Sequence, residues 1–396
     1  MGKQNTASGI TRHFPHLAAG FIAVLVGYTS SAAIVFQAAH AAGATPSQLA
    51  SWLWALGLGM GVTCIGLSLR YRTPILTAWS TPGAALLTTG LVGVPMNEAI
   101  GAFLFASGLM AVLGFSGGFE RIMRHVPPSI AAAMLAGVLL RFGLGAFSSL
   151  GGNLSLVGTM IVVFFAGRRF WPRYAVPLAF LAGLVVAGAS GSIAIGEIRW
   201  QLSAPEFVMP SFSLQTLIGV GLPLFMVTLA SQNVPGLAVL RANGYTTPAS
   251  PLLGWTGVTG LVLAPFGGFS FNLAAITAAI CMSRDADPNP AKRYLASTWA
   301  GGIYLLTGIG GATVASLLAA IPNALVVAIA GLALMGTIAG SLTTALAHED
   351  EREAAVVTFL VTASGVTLFG IGSAFWGLVF GYAATHMLRR PRSVAV

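Results

Sequence analysis

Three short polar stretches interrupt an otherwise apolar chain, and each carries residue types that bind a ligand more readily than they cleave one. Ser80-Thr81-Pro82-Gly83 sits midway through the apolar run between Arg72 and Glu98, after Pro74; Ser270-Phe271-Asn272 follows Pro265, Gly267, Gly268 and Phe269. Neither run suits an unbroken helix, since Pro lacks the amide donor and Gly disfavours the helix interior. Thr81 suits an N-cap and Pro82 the first helical position, and Ser270 or Asn272 can cap a second helix in the same way. A helix that begins inside an apolar slab presents unpaired N–H groups and about half a positive charge at its first turn, which suits an anion. The third stretch is Ser231-Gln232-Asn233-Val234-Pro235-Gly236. Amides are costly in hydrocarbon unless paired, so Gln232 and Asn233 either join helices or face a polar cavity. Ser30 and Ser31 permit close helix packing or contact a ligand; nearby Tyr28, a hydroxyl on an aromatic body, suits a ligand with a ring and a charge.

Other chemistries find little support. The two cysteines, Cys64 and Cys281, lie far apart in apolar stretches, and no two of the six histidines show the four-residue helical spacing of a zinc site. No metal or cofactor is expected. All ten Asp and Glu residues fall in loops or at segment ends, which leaves no buried acid as a proton relay. Arg141 falls within an apolar segment, where a cation either snorkels outward or attracts and gates an anion. An intramembrane enzyme would need a nucleophile, an acid–base pair or a metal cluster within the bilayer, and none is clustered there.

The elements that must position these residues are membrane helices. Of 396 residues, 56% are apolar and only 7% charged, with a mean hydropathy of +0.85; a soluble domain carries roughly 25% charged residues. The net charge of +9 is spread over short loops, not gathered on one face, so nucleic acid is excluded as a partner. The N-terminus is polar to about His16 and shows no cleavage site after a short apolar core, so no signal peptide is expected. Cutting the apolar runs at Gly, Pro, Asn and Ser clusters gives about fourteen transmembrane segments, starting near residues 17, 47, 73, 97, 127, 153, 174, 213, 247, 267, 291, 322, 353 and 373. With both termini cytoplasmic, every Lys and Arg except Arg199 and Arg141 falls on the cytoplasmic side, as the positive-inside rule asks.

Fourteen segments divide seven plus seven, and an odd number per half makes the halves inverted repeats with two half-helix segments, the third and the tenth. Ala41-Ala42-Gly43-Ala44-Thr45-Pro46 is echoed by Ala242-Asn243-Gly244-Tyr245-Thr246-Thr247-Pro248, and Ser80-Thr81-Pro82-Gly83-Ala84-Ala85-Leu86 by Ser270-Phe271-Asn272-Leu273-Ala274-Ala275-Ile276. The two half-helix starts then face each other near mid-membrane. Paired breaks of this kind point to a transporter site.

The chain resembles the benzoate/proton symporter (BenE) family over essentially its whole length. The resemblance rests on Tyr71-Arg72-Thr73-Pro74 with Ala78-Trp79-Ser80-Thr81-Pro82-Gly83, on Pro127-Pro128 with Ala131-Ala132-Ala133-Met134, on Ser231-Gln232-Asn233-Val234-Pro235-Gly236, and on Phe269-Ser270-Phe271-Asn272-Leu273. It implies import of benzoate or a similar aromatic carboxylate with a proton across a bacterial inner membrane. More distantly the chain is similar to nucleobase/proton symporters and sulfate-permease-type anion transporters. That kinship implies a core domain of segments one to four (17–120) and eight to eleven (213–320), a gate domain of segments five to seven (127–192) and twelve to fourteen (322–389), and often a homodimer. Nucleobase relatives carry acidic residues where this chain has Ser231-Gln232-Asn233 and Phe271-Asn272, a departure that suits an anionic cargo. The expected site comprises Tyr28, Ser30, Thr81, Pro82, Gly83, Ser231, Gln232, Asn233, Ser270, Phe271 and Asn272, the ring lying against Tyr28 and Phe271, with Arg141 as a possible gate. The alternatives are an inorganic-anion or dicarboxylate carrier of the same fold, or a passive anion channel, which would show no saturation or counterflow.

Overall fold

The computed structural model describes residues 9–119, 127–194, 196, 200–284, 286–366, 368 and 373–388. Lys3, Arg121, Arg124, Arg199, Arg389, Arg390 and Arg392, which carry part of the expected charge asymmetry, lie outside them, as do the domain ends at 120 and 389. The described chain is mostly helical: α1 (Gly9–Ala41), α2 (Pro46–Tyr71), α3 (Thr81–Gly90), α4 (Met96–Phe115), α5 (Pro128–Ser148), α6 (Leu154–Phe170), α7 (Ala175–Ala189), α8 (Leu214–Arg241), α9 (Ala249–Leu263), α10 (Ile276–Cys281), α11 (Tyr294–Ile309), α12 (Gly311–Ala320), α13 (Asn323–Ala345), α14 (Arg352–Ser364) and α15 (Ser373–Leu388). Among the described residues, six helices are long and apolar enough to cross a membrane, or eight if the two bent pairs each count as one span.

Local chemistry accounts for the starts, stops and bends. Thr45 and Gln48 form a capping box on α2, and Arg72, with φ 48°, ends that helix just ahead of Pro74. The α1 axis bends by 43° between Thr29 and Ser31. There Thr29 donates to the Leu25 carbonyl and Ser31 to the Gly27 carbonyl, and such back-bonding bends helices. In α8, wider π-helical turns occupy Leu217–Gly221 and Leu229–Asn233. Each is centred on the residue four before a proline, Gly219 before Pro223 and Ser231 before Pro235, where the ring would otherwise strike the carbonyl.

Segments three and ten are both broken. Two-residue strands β1 (Thr77–Ala78) and β2 (Asn272–Leu273) pair antiparallel, Thr77 opposite Leu273 and Ala78 opposite Asn272. The Ala274 amide extends the ladder to the Leu76 carbonyl at 2.9 Å. Pairing satisfies backbone that has left the helix inside an apolar body, where an orphaned N–H or C=O would be costly. The half-helices α3 and α10 start just beyond their strands.

The helices pack in pairs around a central space. α2 lies along α11, α4 along α9, α1 against α3, α10 and α11, α5 on α13 and α14, and α6 on α7. A second apolar cluster, built mainly from α6, α7 and α13, is separate from the large one around β1 and β2. Small residues let the backbones approach closely. A Cβ on Gly57 would lie 2.7 Å from the Gly308 amide nitrogen, whereas Gly66 in the same helix has open space around it. Gly57→Ala is therefore expected to destabilise the protein by about 1–3 kcal/mol through overpacking. Gly66→Ala should be neutral or stabilising by up to about 1 kcal/mol through helix propensity. Thermal unfolding of the two variants in detergent compares them directly.

Candidate functional site

The π-turn ahead of Pro235 sets the polar cluster of α8 in two directions. Asn233 turns inward and is fully buried. Its Nδ2 donates to Asn272 Oδ1 at 2.9 Å and its Oδ1 accepts the Leu273 amide at 3.0 Å, so it pins β2 to α8. Ser231 donates to the Val227 carbonyl one turn back. Gln232 turns the other way: its carboxamide borders the central space and hydrogen-bonds no other described side chain or backbone group.

That space is a cavity of about 890 Å³, within the ~300–1,000 Å³ range of small-molecule sites. Its inner wall joins Trp79, Thr81 and Pro82 at the start of α3 with Ala275 and Thr277 at the start of α10, Ser31 of α1, Ser231 and Gln232 of α8, and Tyr304 of α11. Its outer wall comes from α5, α6, α7 and α13 and reaches Arg168 and Thr344. Trp79 is fixed by an indole N–H bond to Ser31 Oγ at 2.8 Å.

The half-helix starts differ in detail from the sequence expectation. Ser80, not Thr81, caps α3: its Oγ accepts the Gly83 amide at 2.9 Å, so Thr81 and Pro82 occupy the first turn. Extended backbone at Ser80 explains the shift, because a cap residue needs non-helical angles. Neither Ser270 nor Asn272 caps α10. Asn272 is held in the β-ladder and donates to Ser270 Oγ, so the helix waits until Ile276 to begin.

The expected residues separate into two groups. Thr81, Pro82, Ser231 and Gln232 border the cavity together. Gly83 is buried against Leu224 and Ser80, and Asn233, Ser270, Phe271 and Asn272 are buried around the strand crossing. The last three, with Ser107, Thr228 and Thr256, surround a void of only about 10 Å³. Tyr28 is not a lining residue. It donates to Thr307 at 2.9 Å and packs edge-on against Trp79, ring centroids 4.9 Å apart, and the aromatic lining residues include Trp79 and Tyr304. Ser30 lies on α1, but its side chain is outside the described ones. Arg141 is exposed away from the cavity and reaches the Ser364 carbonyl at 3.5 Å, a cation at the C-terminal end of α14. Trp79 and Tyr304 carry a weak sequence signal, as aromatics beside a break and beside small-residue packing. Arg168 was legible only as a loop-side basic residue.

Towards the N-terminal end of α1, His16 pairs with Asp287 at 2.8 Å, tying α1 to the connection after α10. Burial pushes the Asp287 carboxyl up, but the Asn289 amide, His16 and Lys292 outweigh it and hold it below its ordinary value of 3.8. A depressed carboxylate stabilises the fold fully above its unfolded-state value and ceases to do so as pH falls through the folded one. The melting temperature should therefore decline as pH drops below about 4, and Asp287→Asn should flatten that part of the Tm-against-pH curve.

Among the described residues no group of three His, Cys, Asp or Glu gathers as a metal site requires, and the lining offers hydroxyls, an amide, aromatic faces and one guanidinium. This arrangement can hold an organic anion. Solved structures share the architecture: SLC26A9 at a TM-score of 0.65 and 14% identity, with 96% of this chain and 66% of that one covered, and the transmembrane domain of a cyanobacterial bicarbonate transporter, BicA, at a TM-score of 0.59 and 14% identity, covering 93% and 97%. The chain thus spans just under two thirds of SLC26A9, and it is a polytopic helical membrane protein with that fold. Residues 11–387 match the family described as BenE, benzoate membrane transport protein. The chain is 37% identical over 375 residues to the benzoate membrane transport protein of Acinetobacter baylyi (strain ATCC 33305 / BD413 / ADP1), covering 95% of each. It is 53% identical over 367 residues to the inner membrane protein YdcO of Escherichia coli (strain K12), covering 93% of this chain and 94% of that one. The chain belongs to this family and is a membrane transporter, not an enzyme.

Proposed function

We propose that the chain imports benzoate or a similar aromatic carboxylate together with a proton, as a secondary active transporter working by alternating access. The observation that carries the reading is the cavity in which the starts of α3 and α10 meet the unpaired carboxamide of Gln232 beside Trp79 and Tyr304. The carboxylate rests on Gln232, the hydroxyls of Thr81 and Thr277 and the positive first turn of α3, and the ring lies against Trp79 and Tyr304. Asn233 and Asn272 act one layer back by holding the strand crossing in place. Relatives named for benzoate transport support this choice of cargo.

In this reading fourteen segments form two inverted repeats. Reciprocal packing supports it: segment two (α2) lies on segment eleven (α11) while segment nine (α9) lies on segment four (α4), which is the exchange a seven-segment repeat demands. The core comprises α1–α4 and α8–α12, the gate α5–α7 and α13–α15, and the cavity lies on their boundary. With the termini cytoplasmic, the wall that reaches Arg168 opens inward. The homodimer rests on kinship alone. Reconstituted protein should accumulate labelled benzoate when an inward proton gradient is imposed and only equilibrate it otherwise. Equal accumulation under both conditions would sink symport, and uptake that neither saturates nor supports counterflow would favour a channel.

A further inference from the structure

We propose that Arg168 forms a second carboxylate station on the gate side of the cavity, so that the cargo crosses the mouth as the ionised acid. The inference rests on the transport reading above. Arg168 lies in the last turn of α6, and among the described lining residues it is the one charged side chain. Its guanidinium forms no ion pair or hydrogen bond with a described residue, and it extends past Gly336 of α13, where a Cβ would sit 3.9 Å from Nη2 and 4.0 Å from Nη1. Thr337 and Ser341 bring hydroxyls to the same wall. A cation at the edge of a largely apolar cavity draws in the anions that enter it. A cavity of about 890 Å³ leaves room beyond the inner wall for a single-ring acid to pause here. Arg168 is exposed at the cavity's edge, and neighbouring Arg169, equally exposed, does not line the cavity, which makes it a matched control.

The test is benzoate uptake by the full chain in proteoliposomes at low and high ionic strength, with benzamide as an uncharged competitor. R168Q should raise KM for benzoate roughly tenfold, the loss of one charge-assisted hydrogen bond, while R169Q leaves it unchanged and R168K largely preserves it. Raising salt should weaken wild-type affinity towards that of R168Q, a reading that needs no variant to fold, and benzamide inhibition should be the same in both. The proposal is overturned if R168Q and R169Q behave alike, if wild-type KM ignores salt, or if R168Q weakens benzoate and benzamide equally. Wild-type protein that takes up no benzoate at all would instead remove the underlying transport reading, and this inference with it.

Discussion

Replacing Gln232 by Leu is expected to lower kcat/KM for benzoate uptake by roughly ten- to a hundredfold, with little change in thermal stability. The size follows from one hydrogen bond to a charged ligand, about 1.5–3 kcal/mol, read as transition-state and binding energy together. The unchanged stability follows from the geometry. Gln232 hydrogen-bonds no other described group, so removing its amide leaves no protein donor or acceptor stranded. Gln232→Glu sharpens the point: a carboxylate facing the cargo should block uptake at neutral pH and release part of that block in acid, as the introduced group protonates. Uptake and unfolding measured on the same preparations separate the two effects.

Asn233 is one residue away and should behave in the opposite way. Its side chain is fully buried and joins the Leu273 amide to the Asn272 carboxamide. Asn233→Leu strands both partners in an apolar interior, each at about 1–3 kcal/mol, so a loss of about 2–6 kcal/mol is expected, a large share of the ~5–15 kcal/mol that holds a typical domain. The melting temperature should fall steeply, and whatever folds should lose uptake, because β2 then no longer holds the start of α10 at the cavity. If Asn233→Leu kept wild-type stability and lost only affinity for the cargo, Asn233 would be a ligand contact and the assignment of the two amides would have to be exchanged.

Much of the frame was written plainly in the chain. Helices start at 46, 96, 128, 154, 175, 214, 249, 294, 323, 352 and 373, close to the positions marked by Pro, Gly and Ser clusters. Pro74 and Pro82 announced one break, Gly267 and Gly268 the other. The caps were harder. Ser80 and Thr81 are both good cap formers, and only the extended backbone at Ser80 decides between them. Two-residue strands carry no hydrophobic alternation, so the pairing of Thr77 with Leu273 left no local trace. That pairing draws Ser270, Phe271 and Asn272 into the interior and passes the cavity wall to Ala275 and Thr277. The division of labour between Gln232 and Asn233 depends on the widened turn before Pro235; a regular helix drawn from the sequence leaves it open. Arg168 is the clearest omission, because a cation at the cytoplasmic end of a helix satisfies the sidedness rule whether it faces water or a cavity.

If the two broken spans meet to make a pocket, its ligand is a negatively charged ring compound. Thermal unfolding of the purified protein across a panel of benzoate, benzamide, toluene, bicarbonate and sulfate tests it most directly, since a ligand that binds the folded state at about a hundred times its Kd stabilises by about 2.7 kcal/mol. A concentration-dependent rise in Tm is expected with benzoate, with much smaller shifts for the two uncharged rings and the inorganic anions, and loss of the benzoate shift in Gln232→Leu. Equal shifts for benzoate and toluene, or a shift with sulfate or bicarbonate that exceeds the one with benzoate, would contradict it.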